Sequence, residues 1–296
     1  MKAMKNWKQL LGGLLVLVTI GAFLYTWRTH PELLRQLKDV RMSYLLLVGV
    51  LYGVMIGLLV LIYDTTLRLC GNRLGLREQT LLTMYSSIVN FFGPLQSGPG
   101  VRTVYLKKRH KVSVKKYAAA TLLYYLLFAG FSGLFLLSGI RPLWQAALLC
   151  LVLLAVGAAG TWLARGKLQK YEFVRDYSRP LIVRLAILTL AQVVLVSLIY
   201  FTELHAIGAQ VSIGQTAVYT GAANFSLFVS LTPGALGIRE VFLLFSSQLH
   251  HISSGTIISA NLIDRGVYVA FLGVLFLTVL SLHAQDRLKL RSDSAD

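Results

Sequence analysis

Two stretches put opposite charges side by side inside strongly apolar sequence. LTPGALGIREVFLLF (231–245) carries Arg239 next to Glu240, and IISANLIDRGVYVAFLG (257–273) carries Asp264 next to Arg265. A charge at membrane depth costs several kcal/mol, so such a group faces a polar cavity and a partner. Guanidinium groups there can bind an anionic headgroup, and carboxylates can orient them or exchange a proton. Neighbours in a helix point about 100° apart, so neither pair need be internal. Arg265 with Glu240, and Arg239 with Asp264, are geometrically plausible alternatives. The candidate substrate-binding set is Arg102, Arg239, Glu240, Asp264 and Arg265. The competing readings are an ion pair at a hairpin mouth for Arg239 and Glu240, and a helix-locking salt bridge for Asp264 and Arg265.

The elements that hold these groups are membrane helices. The chain has 296 residues, of which 56% are hydrophobic and 14% charged, with a mean hydropathy of +0.66. A soluble domain carries roughly 25% charge. Apolar runs of about 20 residues, the length that crosses the hydrocarbon core, recur along the chain. Full-length spans are expected at 8–27, 42–63, 117–139, 143–163, 181–203 and 255–282. The opening segment reads as an uncleaved first span, because it ends at Tyr25 and Trp27 without a small-residue cleavage site. Cys70 and Cys150 form no disulfide framework.

Basic residues set the orientation. With the N-terminus, 64–79, 101–116, 164–184 and the C-terminal tail in the cytoplasm, 22 of the 29 Lys and Arg residues lie there. That asymmetry accounts for the net charge of +17 without nucleic acid. It also places both flanks of 80–100 inside and both flanks of 212–250 outside, the latter marked by Glu203, His205, His250 and His251. The fold expected is therefore an all-α polytopic membrane protein. It has about six full transmembrane helices and two re-entrant helical hairpins, with a single domain at 1–285 and a short cytoplasmic tail at 286–296.

The hairpins resemble one another. YSSIVNFFGPLQSGPGVRTVYL starts at Tyr85, and YTGAANFSLFVSLTPGALGIREVFL starts at Tyr219. Asn90-Phe91 matches Asn224-Phe225, and Pro99-Gly100 matches Pro233-Gly234. With three residues inserted, GVRTVYL then meets GIREVFL and Arg102 meets Arg239. Copies entering from opposite faces make an inverted repeat, the architecture by which transporters bring broken helices to the bilayer midplane. Such breaks are tolerated where protein or a water-filled cavity covers them. Pro94, Gly98, Pro99, Gly100, Pro233, Gly234 and Gly237 supply the breaks, while Asn90 and Asn224 are expected to bond backbone groups freed there.

The basic run RTVYLKKRHKVSVKK (102–116) reads mainly as a topology determinant touching anionic lipid. His250 and His251 lack companion ligands for a metal. The sequence has no GxSxG, HExxH or P-loop, and no metal or other cofactor is expected.

On these segments and Arg265 the chain resembles the flippase-like family that includes the transmembrane region of lysylphosphatidylglycerol synthases. Pro233, Gly234, Gly237 and Glu240 fit its second motif, with Ala235 at a glycine position. Asn90, Pro94, Gly98, Arg102, Lys107 and Lys108 fit its first motif, and Pro99 stands where an acidic residue is usual. The resemblance implies a bacterial or archaeal inner-membrane protein, both termini cytoplasmic, that moves a phospholipid or glycolipid between leaflets. The short polar end at Asp296 reads as a stand-alone flippase domain, with any lipid-synthesising enzyme encoded separately. The Gly- and Ala-rich stretch LLAVGAAGTWLARG (153–166) is a candidate homodimer contact. Two other classes remain open. One is a membrane partner or scaffold of a lipid-modifying enzyme; the other is an integral enzyme acting on a headgroup, with Glu240 and Tyr268 as its acid–base pair.

Overall fold

This computed structural model describes Gly21, Arg28, Ala235 and residues 40–93, 97–139, 178–229 and 237–292, with side chains followed to residue 282. Every element among them is helical. In chain order they are α1 (Met42–Leu69), α2 (Leu76–Phe92), α3 (Gly98–His110), α4 (Val114–Leu137), α5 (Arg179–Ala206), α6 (Ile213–Val229), α7 (Ile238–Phe245), α8 (Ser247–His250) and α9 (Ser254–Ser292).

Four stretches are long and apolar enough to cross a membrane: α1, α4, α5 and Ser254–Leu282 of α9. They fall on four of the six expected spans. The other two, at 8–27 and 143–163, lie outside the described residues. Large apolar side chains project outward from all four helices, among them Leu46, Leu122, Ile187 and Leu277. Lipid rather than water is the solvent that suits such a surface.

Local sequence explains where the helices begin. Ser212 and Gln215 form a capping box at α6: the Gln215 N–H donates to Ser212 Oγ at 3.2 Å and the Ser212 N–H to Gln215 Oε1 at 2.9 Å. Ser253 Oγ accepts from the Thr256 N–H at 3.3 Å and caps α9. Proline sits in the first turn of α3 and of α5, where its missing N–H has no intrahelical acceptor to lose.

The same order of elements occurs twice. A 28-residue helix, a 17-residue helix, a break, a short helix and a long helix run from α1 to α4 and again from α5 to α9. α8 is the one addition. The two 28-residue helices pack on each other, α6 packs on α4, and α9 touches α1, α2 and α5.

The first break is a tight fold-back. Gly98 N–H donates to Asn90 Oδ1 at 3.3 Å, so Asn90 bonds a freed backbone group as expected. A side chain at Gly98 would lie 2.6 Å from the Ser86 carbonyl, which is why only glycine lets α3 start against α2. The far ends of the two helices are tied as well, where the Tyr105 hydroxyl and His110 Nε2 both meet Glu78 Oε1. Burial opposes ionisation of Glu78, but those hydrogen bonds and the charge of nearby Arg109 hold its carboxyl below the usual 4.5.

Asn224 behaves differently. It lies more than a turn before α6 ends, and its amide donates to Ser132 Oγ of α4 at 3.0 Å, so this bond joins two helices.

Candidate functional site

A cavity of about 260 Å³ lies between the two breaks. Ser86, Asn90, Gly98 and Pro99 line it from the first, and Ala235 with Arg239 from the second. Arg102, Asp264 and Arg265 also face it. Tyrosines from several helices complete the wall: Tyr52 and Tyr63 of α1, Tyr124 and Tyr125 of α4, Tyr200 of α5 and Tyr268 of α9. A largely apolar, aromatic-walled chamber that holds a few charged groups is thus built from residues more than 100 positions apart.

The second break aims its charges through two ion pairs. Gly237, at φ 78°, turns the chain into α7, a conformation that costs glycine little. Arg239 follows two residues later and donates from Nη1 to Asp264 Oδ2 at 2.6 Å. Arg265 donates to Glu240 Oε1 from Nε at 3.0 Å and from Nη2 at 2.7 Å, and Nη2 also reaches the Ala235 carbonyl at 3.5 Å. These are the crossed pairs expected from the sequence. Adjacent residues on α7 engage adjacent residues on α9, which fixes the register between the two helices. The Tyr52 hydroxyl donates to Asp264 Oδ1, so that carboxylate is held from two sides.

Arg102 has different surroundings. It is 2% exposed, and its guanidinium lies 3.3 Å above the centre of the Tyr63 ring. Nε and Nη1 make no hydrogen bond among the described residues, and no carboxylate there forms an ion pair with it. The Tyr face attracts a cation but leaves the in-plane N–H donors unused. Arg239 lies similarly over Tyr200, at 5.0 Å. Tyr63 and Tyr200 are each the 22nd residue of their 28-residue helix, so the two aromatic platforms occupy matching places.

Two readings of the sequence need correction. Glu203 is not an exposed flank of the outer face. It is 1% exposed, beside Asp264 and within range of Tyr52 and Arg239, and its Oε1 has no hydrogen bond among the described residues. Helix α5 continues through Ala206, so Glu203 remains on a helical face turned inward. His250, the other flank, ends α8 and is likewise turned inward. It is 0% exposed, donating from Nε2 to the Leu243 carbonyl at 3.0 Å and accepting at Nδ1 from the Ile252 N–H at 3.1 Å. Both its nitrogens are committed to the backbone around α8.

Pro94, Pro233 and Gly234 lie outside the described residues, and Gly100 stands in the first turn of α3 with open space around its Cα. Tyr268 contacts Tyr52 and Phe91 through its ring, while Glu240 is taken by Arg265. No group of three His, Cys, Asp or Glu side chains that could hold a metal occurs among the described residues.

Long apolar helices around a buried, charged, aromatic-lined cavity define a multi-pass membrane protein with an internal chamber. Residues 9–275 match the family described as lysylphosphatidylglycerol synthase TM region, and the chain belongs to that family. A comparison with curated proteins gave no match. The family ties the chain to membrane lipid.

Proposed function

We propose that this protein is a lipid flippase, passing the headgroup of a phospholipid or glycolipid through the cavity while the acyl chains stay in the bilayer. One observation carries the reading. Arg102 is buried in a chamber between two helix breaks, with two guanidinium nitrogens unbonded and no acidic partner among the described residues. A lone buried cation is costly to maintain, and a phosphate oxygen is a ligand that fits its unused donors. Arg239 and Arg265 already pair with Asp264 and Glu240, so Arg102 is the principal receptor of the anion, with the spare donors of Arg239 beside it. Pro99, in place of an acidic residue, leaves that anion unopposed.

In this reading the two helix–break–helix segments are re-entrant hairpins from opposite faces, within six full spans and with both termini cytoplasmic. Matching helix lengths and the paired tyrosine platforms support an inverted repeat. The membrane is the inner membrane of a bacterium or archaeon. The stretch 153–166, the candidate homodimer contact, lies outside the described residues. The protein itself moves its substrate without changing it.

The test is reconstitution into liposomes holding fluorescent anionic or zwitterionic lipids, with dithionite added outside. Wild-type protein should expose inner-leaflet label. Arg102→Ala should slow this by about tenfold or more, the worth of a charged hydrogen bond, and Arg102→Lys should keep part of the rate. Lipid that stays put with wild type, or moves equally fast with Arg102→Ala, overturns the proposal.

A further inference from the structure

The ion pairs leave one acid over. Arg239 is matched by Asp264 and Arg265 by Glu240, yet Glu203 lies buried beside Asp264 with Oε1 unbonded. Two ionised carboxylates in contact in a low-dielectric site repel strongly, and a proton on one relieves the repulsion. Asp264 already accepts from Arg239 and from Tyr52. Both oxygens of Asp264 are thus engaged, while Oε1 of Glu203 is unbonded among the described residues, which leaves Glu203 as the proton carrier.

The same geometry shows what the proton controls. Arg239 uses Nη1 for Asp264, while its Nε and Nη2 are buried and unbonded among the described residues. A phosphate in the cavity that Arg239 lines would find those two donors open, and an ionised Glu203 turning towards Arg239 would claim the same ones. Carboxylate and headgroup therefore compete for one pair of N–H groups. We infer that Glu203 is a proton-binding site coupled to the lipid site: protonation withdraws it from Arg239 and leaves those donors to the headgroup.

The groups facing Glu203 fit this role. Tyr52 comes from α1, Tyr219 from α6, Arg239 from α7 and Asp264 from α9, with Tyr200 on its own helix. Arg239 supplies the positive charge in that set. From α4, Tyr124 meets α5 about three turns away, at Gln192. By linkage, an anion that binds better when Glu203 is protonated raises the pH at which Glu203 loses its proton.

The coupling rests on the transport reading; the proton site itself does not, so the test separates them. Infrared spectra of purified protein in nanodiscs of zwitterionic lipid would be followed from neutral to alkaline pH. A protonated-carboxyl C=O band should persist at neutral pH, where exposed carboxylates are ionised. It should shift when only glutamate is 13C-labelled and vanish in Glu203→Gln. Short-chain phosphatidylglycerol should raise its titration midpoint by about one pH unit, the size of an ordinary tenfold coupling. Absence of the band in wild type, no shift with labelled glutamate, or its survival in Glu203→Gln overturns the proton site. The labelling uses unmodified protein, so a poorly folding variant does not remove the test. A midpoint indifferent to the lipid overturns the coupling alone, and liposomes in which no lipid moves overturn the transport reading while leaving the band untouched.

Discussion

Removing Arg239 or Asp264 alone strands the other charge in a largely buried site. Loss of one member of a buried pair costs about 3–5 kcal/mol, whereas replacing both with apolar groups is often near neutral. Arg239→Leu and Asp264→Leu should each lower the thermal unfolding temperature of detergent-solubilised protein sharply, and the double variant should recover much of the loss. The second pair offers a contrast, because Glu240 keeps 26% of its side chain exposed. Glu240→Leu should therefore cost less than Asp264→Leu. Equal losses at the two sites, or additive losses in the double variant, would contradict the buried-pair account. Stability and transport are also expected to separate: Arg102 holds no ion pair among the described residues, so Arg102→Ala should slow lipid movement while leaving the unfolding temperature nearly unchanged.

At the scale of elements, the first break depends on how closely α3 approaches α2. Gly98→Ala places a methyl 2.6 Å from the Ser86 carbonyl and 3.0 Å from Asn90 Cβ, forcing the helices apart. Overpacking of this kind costs about 1–3 kcal/mol. Gly100→Ala, two residues on with nothing within 4 Å, should be neutral and serves as the control in the same unfolding assay. The α7–α8 corner makes a pH prediction. Burial holds the His250 imidazole below its ordinary 6.5, so the unfolded chain binds this proton more readily than the folded one. Stability is then full above 6.5 and falls as pH drops from 6.5 towards the depressed folded value, below which this residue adds no further loss. His250→Phe should remove that slope from a denaturation series between neutral and mildly acidic pH. What the sequence revealed follows the same physics. Runs of apolar residues marked α1, α4, α5 and α9, and proline with glycine marked the breaks. The crossed ion pairs were legible too, because charge in apolar sequence demands a partner. Glu203 and His250 were not. Both stand near the ends of apolar runs, where polar residues ordinarily meet the interface. A membrane helix is apolar towards lipid and towards its neighbours alike, so its periodicity carries little signal of which face turns inward.

For the whole molecule, the decisive property is which side each hairpin comes from. In the proposed topology, Arg77 and the run Lys107–Lys111 are cytoplasmic, and the ends of the second hairpin near Gln210 and His251 lie outside. Arg77, Ser113, Gln210 and His251 are all exposed, so single cysteines there should react with a maleimide that does not cross the membrane. In a Cys70→Ser, Cys150→Ser background, Arg77→Cys and Ser113→Cys should label only from the cytoplasmic side. Gln210→Cys and His251→Cys should label only from the opposite side. The two halves then have opposite orientation, which is what lets one cavity open alternately to each face as the halves rock about it. Labelling of the two ends of either hairpin from different sides would make that segment a full crossing. The inverted repeat would fall with it, even if lipid transport stood.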